Sequence, residues 1–374
     1  MPTRPDQILA LLQRKRGGFS RPDQAHLSIL QAYRRAYTQL FQGDEPPPEL
    51  EIEPGHTDTR GLRRFPERWP NREASLAWVR QQLSGVTTFA CDGSQIYPSK
   101  DFSVPVALVQ IGWFENPHNP EQPYRKDIEL DLLTPEDFRD CEREFLDRQV
   151  NLRRFRMEID RLCRWLEERA GQELVLALFD GSLVATFAQA FEQEVQQAYI
   201  DELVRLLETS EQTRVPLIGF VDTSYAHDLS ELLQGRAILP ASREVHDAQI
   251  LAAAMQWGDR TPLFPCQRQI LSRYGDQAER LAYGYLKTHD GFPARLELPR
   301  WMMEDGIHEQ AINWLRAEVI VGGGYPYAIE TADQTAVLKT EDRSLFYRVL
   351  QDWIDQQGLE LRLSRKMVSK LRRR

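Results

Sequence analysis

Apolar residues follow two rhythms along this chain. Short, nearly continuous runs, VTTFAC (86–91), LVLALF (174–179) and VPLIGFV (215–221), read as strands covered on both faces. By contrast, Leu152, Phe155, Ile159, Leu162 and Leu166 recur at alternating intervals of three and four, which makes them one buried stripe of a helix. That helix is bracketed by Pro135 near its first turn and Gly171 just past its end. VPVALVQIGWF (104–114) and DIELDLL (127–133) follow the first run across short polar loops, so three strands are predicted to form an antiparallel meander. A second helix is predicted over 183–208, between the second and third runs.

The resulting order is meander, helix, strand, helix, strand. It predicts an α/β fold with a mixed five-stranded sheet flanked by helices, in the element order of the ribonuclease H-like fold. That domain is assigned to residues 85–345, after a helical extension and linker over 1–84 and before a C-terminal helix and basic tail over 346–374. Helices are expected around 23–41 and 72–83, with Pro46-Pro47-Pro48 and Pro54-Gly55 in the linker. Between 235 and 300, Tyr283–Thr288 and Ala294–Leu298 flank His289-Asp290-Gly291 and suggest an inserted hairpin, read as a substrate wall or dimer contact. AEVIVGGGYPYAIETADQTAVL (317–338) reads as a strand, a glycine turn and a helix beginning near Pro326.

Composition narrows the class. With 374 residues and 41% apolar content the chain can bury a sizeable core. No apolar run approaches the roughly 20 residues of a membrane helix, and MPTRPDQILALLQRKRGGF lacks a signal peptide's apolar block, so a cytoplasmic protein without membrane contact is expected. Cys91, Cys141, Cys163 and Cys266 have no C-x-x-C or zinc-finger spacing and read as reduced thiols. A formal net charge of −9 argues against coating of nucleic acid by bulk charge and leaves local or assisted contacts.

The chemistry is expected where strands surface. Asp92-Gly93-Ser94 follows the first run and Asp180-Gly181-Ser182 the second, each reading as a carboxylate at a glycine turn. The ribonuclease H-like order lays the first and fourth strands side by side, making Asp92 and Asp180 neighbours. Glu158 falls roughly 70° from the middle of the helix stripe and either leans over the strand ends or pairs with Arg154 or Arg161 on its own helix. Oxygen ligands without His or Cys suit Mg²⁺ or Mn²⁺, and two such ions roughly 4 Å apart serve phosphodiester hydrolysis. Asp222 ends the third run before Thr223 and Ser224, where capping and catalysis are both open. His227, His246 and His289 share no spacing and read as surface residues.

The two DGS segments, the helix RRFRMEIDRL, FDGSL and GYPYAIETAD together resemble the NurA nucleases of DNA end resection. The resemblance implies a manganese-dependent deoxyribonuclease, cutting single-stranded DNA and degrading ends 5′ to 3′, usually a homodimer working with the hexameric ATPase HerA. It places the family's two aspartates at Asp92 and Asp180, its helix glutamate at Glu158 and its tyrosine at Tyr325. Where the family carries histidine eight residues after that tyrosine, this chain has Asp333, still an oxygen ligand. The implied metal set is therefore Asp92, Glu158, Asp180 and Asp333, with Tyr325, Ser94 and Ser182 on the substrate. Relatives commonly show a lysine after the third run; here Arg214 or Arg243 would have to supply that charge. Tyr97, Phe102 and Tyr325 are candidates for stacking unpaired bases, with core packing equally open for Phe102. Two other functions stay open: a non-catalytic adaptor for a DNA-translocating ATPase, and RNA cleavage.

Overall fold

The computed structural model describes residues 4–19, 24–41, 53, 55, 57–100, 102–139, 142, 145–236, 239–240 and 242–358. Pro46-Pro47-Pro48, Pro54, Cys141 and the basic end of the chain lie outside them. In chain order the elements are α1 (Pro5–Arg14), α2 (Arg16–Phe19), α3 (Gln24–Leu40), α4 (Arg72–Leu83), β1 (Thr87–Ile96), β2 (Ala107–Asn116), β3 (Arg125–Leu133), α5 (Leu146–Glu168), β4 (Val175–Asp180), α6 (Gln193–Thr213) and β5 (Leu217–Val221). They continue with α7 (Asp228–Arg236), α8 (Asp247–Ala252), β6 (Phe264–Pro265), β7 (Leu281–Leu286), β8 (Ala294–Pro299), α9 (Trp301–Glu304), α10 (His308–Val321), α11 (Tyr327–Ala336) and α12 (Thr340–Gln357).

Two compact units form. One comprises Met1–Pro66, Asp222–Phe264 and Gly284–Arg295; the other comprises Glu67–Val221, Pro265–Tyr283 and Leu296–Arg374. Within the first, fully buried Arg260 forks onto Glu53 at 2.7 and 2.9 Å. Buried Asp247 accepts the first N–H groups of α7, from Leu229 at 3.0 Å and Ser230 at 2.9 Å, and the Tyr285 hydroxyl at 2.9 Å.

The sheet has eight strands in the order β3-β2-β1-β4-β5-β8-β7-β6. Its first five have the predicted ribonuclease H-like order: β2 is antiparallel to β1 and β3, and β4 runs parallel to β1 and β5. The predicted hairpin exists, but β8 and β7 extend the sheet beyond β5 instead of standing apart as a wall. Every residue of both strands is buried, which is what a fully covered sheet position demands. Helix α5 packs on one face, where Phe89 of β1 stacks on Trp165 with ring centroids 4.8 Å apart. Helix α11 packs on the other so closely that a Cβ on Gly112 of β2 would lie 2.5 Å from the Ala336 nitrogen.

Three predicted elements differ. The long helix starts at Leu146, not near Pro135, because the Asp137 carboxylate accepts the Thr134 N–H at 2.7 Å and hydroxyl at 2.9 Å and closes a local turn. The second helix is a 3₁₀ turn over Ala185–Ala190 followed by α6. The backbone after β4 is held elsewhere, Leu183 N–H on Glu297 at 2.7 Å and Ala185 N–H on the Tyr274 hydroxyl at 2.8 Å. AEVIV belongs to α10, since a short apolar run reads alike as strand or buried helix. The helix after Pro326 is α11, with Pro326 as its N-cap.

Candidate active site

Parallel pairing of β1 and β4 ends at Cys91 opposite Phe179. Asp92 and Asp180 are each the next residue, so they stand side by side on strands roughly 4.8 Å apart and share one face. Beyond that pair the strands part company. β4 ends at Asp180, where Gly181 takes φ 142°, a conformation side chains oppose. β1 instead runs on through Asp92-Gly93-Ser94 to Ile96, so the first DGS is strand and not the expected turn.

Glycine at 93 is required for a steric reason. Phe89, Cys91 and Gly93 alternate onto the α5 face, and a Cβ on Gly93 would meet Glu158 Oε1 at 2.4 Å and Arg154 Cγ at 2.7 Å. The bare backbone lets a carboxylate from α5 reach the point where β1 and β4 separate. From the opposite face, α11 brings Asp333 close enough to Asp92 to help raise its pKa. The turn before α11 brings Tyr325, whose hydroxyl donates to Asp180 Oδ1 at 2.8 Å. The Tyr325 ring meets Phe220 edge-on at 5.2 Å, which fixes it against β5.

Charge accumulates in this spot. Burial raises the Asp92 pKa to about 6, helped by the negative charge of Asp180 and opposed by the Gly93 N–H and Arg154. Burial also pushes Glu158 up to about 8, with Asp92 and Asp180 adding to the rise and Arg154 opposing it. Glu158 is only 6% exposed. Arg154 Nη1 lies 2.6 Å from Glu158 Oε1, 3.3 Å from the Gly93 carbonyl and 3.9 Å from Asp92 Oδ1. The donors are all hard oxygens, the chemistry of a Mg²⁺ or Mn²⁺ site, and a glycine aperture leads Glu158 to them. Among the described residues, however, no three His, Cys, Asp or Glu side chains form a group that could hold an ion as they stand.

A family model, the NurA domain, matches residues 86–338. The chain belongs to the NurA family. It is similar to the crystal structure of the NurA nuclease from Sulfolobus solfataricus, at 13% identity and a TM-score of 0.49 over 75% of this chain and 92% of that one. The catalytic domain of human endonuclease V aligns with 88% of this chain and 99% of its own, at 14% identity and a TM-score of 0.33. Ciona intestinalis endonuclease V in complex with DNA containing an inosine aligns at 10% identity and a TM-score of 0.31, covering 71% and 95%. No curated protein matches in sequence.

Other expected residues of the NurA domain lie differently. The Ser94 hydroxyl accepts the Leu338 N–H at 3.1 Å, and that of Ser182 donates to Glu297 Oε2 at 2.8 Å, so both hydroxyls hold neighbouring backbone and side chains. Phe102 is buried with Val106 and Ile354 in a small core under α12. The Tyr97 hydroxyl donates to Asn151 Oδ1 on α5 at 2.7 Å. Arg214 ends α6 at the opposite end of β5 from Asp180, over the Trp301 ring and 3.5 Å from Asp305, so it does not supply the lysine's charge. Arg243 is exposed in the other unit. Asp247, not Asp222, accepts the first N–H groups of α7, and Asp222 Oδ1 lies 3.3 Å from His289 Nε2. The residue that sequence reasoning undervalued is Arg154, visible there only as a helical neighbour four positions before Glu158. Among the described residues no helix is long and apolar enough to cross a membrane.

Proposed function

We propose that this NurA-family nuclease is a Mn²⁺- or Mg²⁺-dependent deoxyribonuclease that hydrolyses phosphodiester bonds in single-stranded DNA and at DNA ends, trimming 5′ to 3′ during end resection. The observation that supports the reading is Asp92 beside Asp180 where β1 and β4 diverge, with Glu158 of α5 reaching that point past Gly93 and Asp333 of α11 close to Asp92. Asp92, Glu158, Asp180 and Asp333 would hold a pair of divalent ions there, whose chemistry is to lower the pKa of a bound water and offset charge on the leaving oxygen. The chain's own part is to hold four carboxylates against mutual repulsion, to exclude water from Glu158, and to aim the Tyr325 hydroxyl at Asp180. With this much negative charge a DNA phosphate is repelled until cation is bound. Assembly as a homodimer alongside a HerA-type hexameric ATPase belongs to the same proposal and follows from the family alone.

The test is incubation of pure protein with labelled single-stranded DNA and Mn²⁺. Cleavage is expected, and Asp92→Ala and Asp180→Ala are expected to abolish it. Cleavage that survives both substitutions contradicts the proposal. One observation favours a second reading, a catalytically weakened adaptor: Arg154 already engages Glu158, and Asp333 replaces the family histidine. Calorimetry separates the two, since an adaptor without a metal site shows no saturable Mn²⁺ binding near neutral pH.

A further inference from the structure

We infer that Arg154 is a built-in counter-cation that competes with the metal for Glu158 and sets the metal affinity of the site. The inference rests on the metal-dependent reading above. An exposed glutamate–arginine pair four residues apart on a helix contributes only about 0.3–0.5 kcal/mol and signifies little. This pair is different in place and in reach. Glu158 is buried, and the same Nη1 that binds it at 2.6 Å also approaches the Gly93 carbonyl at 3.3 Å and Asp92 Oδ1 at 3.9 Å across on β1. The guanidinium therefore sits among the carboxylates that a divalent ion would have to join.

Charge and hydrogen bonding both point to exchange. Asp92, Glu158, Asp180 and Asp333 bring up to four negative charges to one spot, and Arg154 is the cation found bridging two of their carriers. Glu158 Oε1 cannot be both its hydrogen-bond acceptor and an inner ligand of an ion without loss to one of them. Arg154 Nε is buried and has no hydrogen-bond partner, so the guanidinium holds its present place with one donor unsatisfied. A guanidinium freed from Glu158 keeps its tether on α5, one turn before the carboxylate, with a donor ready for a phosphate oxygen.

The experiment is calorimetric titration of the full chain with Mn²⁺ at neutral pH, comparing wild type with R154Q, R154K and D92N. R154Q is expected to bind Mn²⁺ at least fivefold more tightly than wild type, R154K within twofold of it, and D92N not measurably. A gain in affinity is an outcome that simple structural damage does not produce. If wild type binds saturably, D92N does not, and R154Q binds no more tightly than wild type, the inference is overturned while the metal site stands. If wild type and D92N both fail to bind, the metal reading itself falls and this inference with it. A second measurement needs no altered site: in wild type, the Arg154 Nε–Hε NMR resonance, identified by its absence from R154K, is expected to shift on saturation with Mg²⁺. A resonance unmoved at saturation overturns the inference even if R154Q does not fold.

Discussion

Replacing Glu158 by glutamine removes a buried charge without changing shape, and its effect on stability depends on pH. The ordinary glutamate pKa of 4.5 is raised to about 8 in the folded protein. A folded-state pKa above the unfolded one means that the native state holds the proton more tightly. The stabilisation is thus full below pH 4.5 and is lost as pH rises toward 8. Linkage over that interval gives a loss on the order of 3 kcal/mol between pH 5 and pH 8 for metal-free protein, as an upper figure. For a domain of this size that is on the order of 7 °C in melting temperature. The assay is thermal melting of metal-free wild type and Glu158→Gln at pH 5, 6.5 and 8, with and without Mn²⁺. Wild type is expected to lose several degrees more than Glu158→Gln across the series. Mn²⁺ is expected to restore most of the difference at pH 8, because a ligand at a hundred times its Kd stabilises by about 2.7 kcal/mol. Parallel melting profiles for the two proteins across pH refute the buried-charge reasoning.

Gly93→Ala places a Cβ 2.4 Å from Glu158 Oε1 and is expected to destabilise by about 1–3 kcal/mol and to lower cleavage more than tenfold, measured by denaturant unfolding and by DNA hydrolysis. Tyr325→Phe removes the 2.8 Å hydrogen bond to Asp180 and is expected to reduce kcat by roughly three- to tenfold with little change in melting temperature, consistent with a bond worth about 1 kcal/mol. Asp333→His restores the family residue and is expected to shift the ratio of Mn²⁺- to Mg²⁺-supported cleavage, so an unchanged ratio would remove Asp333 from the metal set. His118, whose pKa is raised above 6.5 by buried Glu318 despite desolvation, contributes stability below pH 6.5 that is lost as pH climbs through its folded pKa. His118→Gln is accordingly expected to flatten the melting profile above neutral pH.

Much of this architecture was legible in the chain because its signals are local. Apolar runs marked β1, β4 and β5, the three-and-four stripe marked α5, and topology alone put Asp92 beside Asp180, as the β1–β4 register does. The full sheet was not legible, because β6, β7 and β8 join it through pairings set by distant parts of the chain. Gly93 misled for a physical reason. Asp-Gly reads as a turn, yet here glycine is needed inside a strand because α5 comes too close for any side chain. Arg154 was hidden by its ordinary spacing from Glu158; only the fold reveals that its guanidinium also reaches β1.

The central claim is that four carboxylates from β1, α5, β4 and α11 hold divalent metal at the divergence of β1 and β4. Anomalous diffraction at the manganese edge from crystals soaked in Mn²⁺ tests it most directly. The account predicts density between Asp92 and Asp180, with Glu158 turned from Arg154 toward the ion. Ordered Asp92 and Asp180 with no anomalous peak between them at saturating Mn²⁺ would contradict it.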